Sequence, residues 1–224
     1  MQTHRPLPDG VRLSMNRADV LTHRESLAAM LCDFWPATEH AWPSRDEALD
    51  EVDQALGADR DRIAVVALAR DDRPIGWIAG FRTYAAAFEL HPLVVHRDWQ
   101  GRGIGRALVE AFERSAAGMG ALTVYLGSDD TVARTNLGNR PLFPGVLAKA
   151  AAMRETNSHP VGFYMRCGYE VVGLLPDVNG RGKPDIWLAK PIGRGAGDGG
   201  AVAPDGAPAD ARPDTRGDSA ANRA

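Results

Sequence analysis

The sequence predicts one α/β domain, a mixed sheet with helices on both faces, and three observations carry that prediction. Segments with strand-like and helix-like apolar spacing alternate from Val11 to Ala189. A glycine-rich turn, Gln100–Gly105, joins an apolar strand to an amphipathic helix. After Ile192 the composition changes abruptly to Gly, Ala, Pro, Asp and Arg.

In chain order, residues 1–10 read as a loose polar arm and Val11–Met15 as a first strand. Asp19–Phe34 carries Val20, Leu27, Met30 and Leu31 at helical spacing. Pro36 and Pro43 break the chain, and Ser44 then caps a helix through Leu56, with Glu47 completing a capping box. Ile63–Ala69 and Ile75–Thr83 form a hairpin about the Asp71–Pro74 turn, and Phe88–Val95 is the next strand. Ile104–Ala117 is a helix ended by glycines, followed by a strand at Leu122–Leu126. Residues 127–158 are mixed, with a short helix expected at Leu147–Met153. Pro160–Cys167 is a helix ended by Gly168, and Tyr169–Leu174 and Asp185–Ala189 are the last strands. The domain is therefore expected to span residues 11–192. Residues 193–224 hold a single valine and no aromatic residue, too little apolar surface to offset their ordering entropy, so a disordered tail is expected there.

Of the 224 residues, 44% are hydrophobic, enough for a substantial core. A net charge of −3 and a pI near 6.1 argue against a general nucleic-acid binder and suit a cationic partner. The two cysteines, Cys32 and Cys167, are far apart with no metal-ligand spacing, which reads as reduced thiols and no metal site. No apolar run approaches the roughly 18 residues of a membrane span, and the polar N-terminus lacks a signal-peptide core. A cytoplasmic protein without membrane or nucleic-acid partners is the expectation.

The turn Gln100-Gly101-Arg102-Gly103-Ile104-Gly105-Arg106 lets backbone approach a ligand closely. The first-turn N–H groups of the helix behind it, with its dipole, suit phosphate oxygens, and Arg102 and Arg106 can add charge at the rim. No Gly-Lys-Ser/Thr follows, which excludes a P-loop. The Gly-x-Gly-x-Gly spacing and mid-domain position exclude a dinucleotide fingerprint. Gln-x-x-Gly-x-Gly resembles the pyrophosphate loop of the GNAT acetyltransferases, and the element order is similar to theirs. That resemblance implies a mostly antiparallel mixed sheet with splayed central strands, and acetyl-CoA as acyl donor. It further implies that backbone amides of Gly101, Arg102, Gly103, Ile104, Gly105 and Arg106, beside Gln100, hold the pyrophosphate. Leu93, Val94 and Val95 would pair with the pantetheine amides as an added strand. Asn136 is a further candidate cofactor contact.

Four blocks narrow the resemblance: Glu89-Leu90-His91-Pro92-Leu93-Val94-Val95, Tyr125 to Asp130, His159 to Tyr169, and Lys183-Pro184-Asp185-Ile186-Trp187. From about Phe34 to Ile192 they are similar, in order, to the aminoglycoside 6′-N-acetyltransferases. This implies an aminoglycoside amine as acceptor, antibiotic resistance as the consequence, direct attack in a ternary complex and a homodimer. Residues 131–158 depart from the family pattern, with Asn139-Arg140-Pro141 where acidic and hydroxyl residues are expected.

The chemistry assigns roles within these blocks. An attacking amine must lose its proton, and Glu89, at the start of the strand leading into the loop, can accept it directly or through water. Pro92 removes a ladder donor and implies a bulge or splay, which leaves the Leu93 N–H to stabilise the tetrahedral oxyanion. Tyr164 resembles the family tyrosine that protonates the leaving thiolate, although its spacing equally suits a core aromatic. His91 is expected to be structural. Trp35 and Tyr84 flank the expected cleft and can stack on sugars or sit in the core. Asp129 and Asp130 suit a polycation or a turn. The eight acidic residues between Glu39 and Asp61 suit a solvated face or a cation-attracting rim. The same chemistry on another amine (a polyamine, peptide N-terminus or metabolite) and a non-catalytic acyl-CoA sensor are the alternatives.

Overall fold

A computed structural model describes residues 6–34, 42–57 and 61–193. Apart from Gly193, the expected tail lies outside them, as do residues 1–5 of the arm and Trp35.

The elements follow in the order β1 (Arg12–Ser14), α1 (Arg17–Thr22), α2 (Arg24–Phe34), α3 (Arg45–Ala55), β2 (Arg62–Leu68), β3 (Pro74–Tyr84), β4 (Ala87–Val95), a 3-10 turn at Arg97–Trp99, α4 (Ile104–Gly118), β5 (Thr123–Asp129), α5 (Val146–Ala151), α6 (Pro160–Arg166), β6 (Glu170–Leu175) and β7 (Asp185–Pro191). The helix expected over 19–34 is two helices. Asn16 caps the first through its side chain, and His23 ends it before the chain re-enters a helix. Val20 and Leu27 are both buried in one cluster, so the apolar spacing runs through the break without marking it. The Ser44 cap forms, its Oγ accepting from the Glu47 N–H at 3.2 Å.

Seven strands form one sheet in the order β1-β2-β3-β4-β5-β7-β6. Every neighbouring pair is antiparallel except β4 and β5, which are parallel and joined through α4. Strand alternation divides the core. On one face Val65, Ile78, Phe88, Leu90, Val124, Leu126, Ile186 and Leu188 pack with Leu108 and Phe112 of α4. On the other, Val66, Leu68, Trp77, Ala79 and Val94 pack beneath Leu27, Leu31, Ala48 and Val52 of α2 and α3. The two helices cover β2, β3 and β4 on that face. Beyond them, Tyr125 and Asp129 of β5 and Asp185 and Trp187 of β7 alternate with core residues and are half-buried or exposed. No helix among the described residues is long and apolar enough to cross a membrane.

Two irregularities of β4 shape the centre of the sheet. Ile78 pairs with Leu93 and Gly80 with Leu90, so His91 and Pro92 stand opposite Ala79 alone. This is the bulge expected around Pro92. It resets the alternation, which is why Leu90 and Val95 both belong to the α4-side cluster. Gly80 beside it admits no side chain, since a Cβ there would lie 2.1 Å from the Glu89 carbonyl oxygen and 2.5 Å from the Phe112 ring. The second irregularity is the end of pairing with β5: Ala87–Thr123, Phe88–Val124 and Glu89–Tyr125 are partners, and beyond Glu89 the two strands part.

Candidate active site

The parting of β4 from β5 leaves a slot whose wall is β4 backbone. The His96 N–H donates to the Ile75 carbonyl at 2.9 Å, which marks a hydrogen-bonded pair. Antiparallel pairs alternate, so Trp77 and Val94 are the next hydrogen-bonded pair, and Leu93 and Val95 direct their N–H and C=O groups away from β3 into the slot. The Val95 carbonyl confirms this direction by accepting from Gln100 Nε2 at 3.0 Å. Gln100 therefore ties the glycine-rich turn to the end of β4 through its side chain. The Leu93 N–H therefore faces the slot.

At the mouth of the slot the chain enters α4. Gly101 and Gly103 have φ of 70° and 88°, a left-handed conformation that costs a side chain-bearing residue strain. Gly103 is the N-cap and provides no side-chain cap, so the first turn presents its backbone N–H groups outward. A Cβ added to Gly101 would meet nothing within 4 Å, so the surface of the turn is open to a ligand. Ile104 is buried and anchors the turn in the core, leaving only its amide to contribute. The two arginines differ. The Arg102 guanidinium lies 5.0 Å from the Trp99 ring centroid at the exposed rim. Arg106 instead donates to the Arg166 carbonyl at 2.7 Å, where the end of α6 favours a cation. Its side chain fastens α6 to α4.

Phe163 packs against the first turn of α4, with its ring edge 3.3 Å from the position of a Cβ on Gly105. Tyr164 follows it, buried and edge-on to Phe163 and Tyr169 at centroid distances of 5.1 and 5.7 Å. Burial pushes its phenol pKa well above the usual range, so it stays protonated and able to donate.

Glu89 lies at the other end of the slot, on the face that α2 and α3 partly cover. Its Oε2 accepts from the Tyr125 hydroxyl at 2.9 Å. Tyr125 is flanked by Tyr84 and Trp187, with centroids 6.1 and 6.0 Å away. Tyr84 is 64% exposed, so it belongs to this surface and not to the core. Trp187 is fixed by its indole N–H on Asp185 Oδ2 at 2.8 Å. Asp129 faces Asp185 across the strand pair. Burial, then the Asp129 charge, and more weakly Glu89, raise the Asp185 pKa. These carboxylates make a surface that favours a cation. His91 turns toward α3, its Nε2 3.5 Å from Glu51 Oε2 and its ring 5.6 Å from Trp42. Burial is the strongest single effect and works against its protonation, but Glu51, Glu89 and Asp129 together outweigh it and raise its pKa. Glu51, a member of the acidic run, is thus engaged by His91 and by the Trp42 indole N–H.

Two expected contacts are engaged elsewhere. Asp130 is 1% exposed, and its carboxylate accepts from the Arg134 N–H, the Thr135 N–H and the Thr135 hydroxyl at 2.7, 3.0 and 2.6 Å. It organises the loop after β5 instead of meeting a polycation, the turn role that Asp often fills. Asn136 donates to the Ala152 carbonyl at 3.0 Å and accepts from the Arg154 N–H at 2.7 Å. Both ends of its amide therefore clasp the 150–154 segment. Tyr125, Asp185, Trp187 and His159 are site residues that were not assigned from sequence. Only the parallel β4–β5 register and the β5–β7 pairing bring the first three to Glu89, and neither is written in the local pattern.

A splayed parallel strand pair with a glycine-rich helix start at its mouth is the architecture of an acyl-CoA-dependent transferase. The chain belongs to the GNAT acetyltransferase family, whose model, described as Acetyltransferase (GNAT) family, matches residues 27–144. The family uses acetyl-CoA, and the slot backbone of Leu93 and Val95 with the Gly101–Arg106 turn fits that donor. Among solved structures, the chain is similar to an aminoglycoside 6′-N-acetyltransferase complexed with coenzyme A, at 34% identity over 81% of this chain and 97% of that one, with a TM-score of 0.72. The aminoglycoside 6′-N-acetyltransferase from Enterococcus faecium gives 34% identity over the same shares and a TM-score of 0.71. An aminoglycoside 6′-acetyltransferase type Ii gives 32% identity, again over 81% and 97%, with a TM-score of 0.60. Comparison with curated proteins gives no match.

Proposed function

We propose that this acetyltransferase moves the acetyl group of acetyl-CoA to the 6′-amine of an aminoglycoside, by direct attack in a ternary complex. The observation that carries the reading is the position of Glu89 at the last β4–β5 pair, where a carboxylate on the open face meets the slot. In this reading an amine approaching over that face meets the Glu89 carboxylate on the same strand as Leu93, against which the thioester carbonyl would be seated. The amine nitrogen attacks the carbonyl carbon, and the C–N bond forms as the nitrogen gives its proton to Glu89, directly or through water. The Leu93 N–H carries the oxyanion charge. The C–S bond then breaks, and the departing thiolate takes the Tyr164 proton.

The choice of amine is supported by the similarity to three aminoglycoside 6′-N-acetyltransferases at 32–34% identity over most of both chains. It is supported too by the surface around Glu89, where Asp129 and Asp185 favour a polycation and Tyr84 offers a sugar a ring to stack on. CoA release is the test, measured with acetyl-CoA and a panel holding kanamycin-type aminoglycosides, polyamines and peptide N-termini. Turnover is expected with the aminoglycosides. Turnover confined to another amine would replace the substrate and keep the chemistry, and coenzyme A binding with no turnover on any amine would point to a sensor.

A further inference from the structure

Tyr125 touches Glu89 and is the partner of Glu89 in the last register pair before the strands part. A parallel pair at that point fixes the two Cα atoms relative to each other, and the 2.9 Å hydroxyl bond fixes the carboxylate as well. One Glu89 oxygen is thereby occupied, and the other is left for the substrate. The tyrosine is itself held. Tyr84 and Trp187 flank its ring, and Asp185 anchors the indole of Trp187. A cross-strand chain therefore runs Asp185–Trp187–Tyr125–Glu89.

We propose that Tyr125 is a positioning residue, whose hydroxyl orients the Glu89 carboxylate toward the amine and keeps it ready to accept the proton. The inference rests on the reading of Glu89 given above. Tyr125 is suited to the role because it remains a donor at every working pH. Burial above all raises its pKa to about 12, with Thr83 opposing it and the neighbouring Glu89 adding to it. Donation to a carboxylate favours the charged form, which is the form that takes a proton from an ammonium. The charged groups facing Glu89 are His91 on its own strand and Asp185 on β7, with Asp129 beside Asp185 and Glu51 of α3 behind His91. None of these is linked to Glu89 by so direct a bond as Tyr125.

Tyr125→Phe keeps the ring stack and removes only the hydroxyl. It is measured beside Glu89→Gln and the double variant, with kcat and KM taken across pH 5–9 and acetyl-CoA affinity taken separately. The single Phe variant is expected to lose roughly tenfold in kcat, with acetyl-CoA affinity unchanged and the acid limb of kcat/KM displaced upward. In the Glu89→Gln background the same change should have little further effect, because Tyr125 then has no carboxylate to orient. An equal loss in both backgrounds with an unmoved acid limb would overturn the proposal and leave the Glu89 reading standing. A Glu89→Gln enzyme as fast as the parent would end both.

Discussion

The imidazole of His159 joins the end of β5 to the start of α6: its Nε2 lies 3.0 Å from the Asp129 carbonyl oxygen, while its Nδ1 accepts from the Val161 N–H at 3.2 Å. Only a neutral ring with its proton on Nε2 makes both bonds. Asp129 belongs to the acidic surface and α6 carries Tyr164, so this one buried ring ties the acidic end of β5 to the helix that bears Tyr164.

Protonation must disrupt that tie. Burial, with a smaller push from Arg134, lowers the His159 pKa below the ordinary value of ~6.5, against opposing effects of Asp129, Asp130 and Glu155. The unfolded chain thus binds the proton first as pH falls. The contribution of His159 to stability is complete above about pH 6.5 and is lost as pH drops toward the folded value. His159→Ala should cost about 1–3 kcal/mol at pH 7.5. Urea unfolding should show the gap to the parent protein narrowing at pH 5.5, and a constant gap would contradict the assignment of a neutral ring.

Asp130 should behave as a structural residue. Removing its carboxylate leaves two backbone N–H groups and a hydroxyl without an acceptor in a buried loop. Asp130→Ala is expected to cost about 3 kcal/mol or more, which lowers Tm by roughly 6–12 °C in a domain of this size. A variant with unchanged Tm and a raised KM for the amine would restore the substrate contact expected from the sequence.

The glycine-rich turn makes a separable prediction. Gly103→Ala places a Cβ at a φ of 88°, a strain of about 1–2 kcal/mol, and shifts the amides of the following turn. The KM for acetyl-CoA should rise several-fold, with the KM for the amine little changed, by steady-state kinetics at saturating second substrate. An unaltered acetyl-CoA KM would remove the turn from the donor site.

Much of this was legible in the sequence, and the remainder was not for physical reasons. The capping box at Ser44, the bulge at Pro92 and the turn at Gln100–Gly105 are local: each follows from what one residue type can or cannot do with its own backbone. The break at His23 is invisible because Val20 and Leu27 keep one apolar stripe across it. Asp130 and Asn136 read as ligand contacts because a polar residue after a strand looks the same whether it faces solvent or folds back on its own loop. Tyr125 was overlooked because its importance arises from pairing with a strand 36 residues earlier, a non-local register that no spacing rule encodes.

Glu89 as acceptor of the amine proton and the 6′-amine as its source form the central claim. The direct measurement is CoA release from acetyl-CoA with two aminoglycosides that differ only at that position, one bearing a 6′-amine and the other a 6′-hydroxyl. With the parent protein the amine should be turned over and the hydroxyl compound should bind without reacting; Glu89→Gln should abolish most turnover while retaining acetyl-CoA affinity. Equal turnover of both compounds, or acetylation found at another nitrogen of the first, would contradict it.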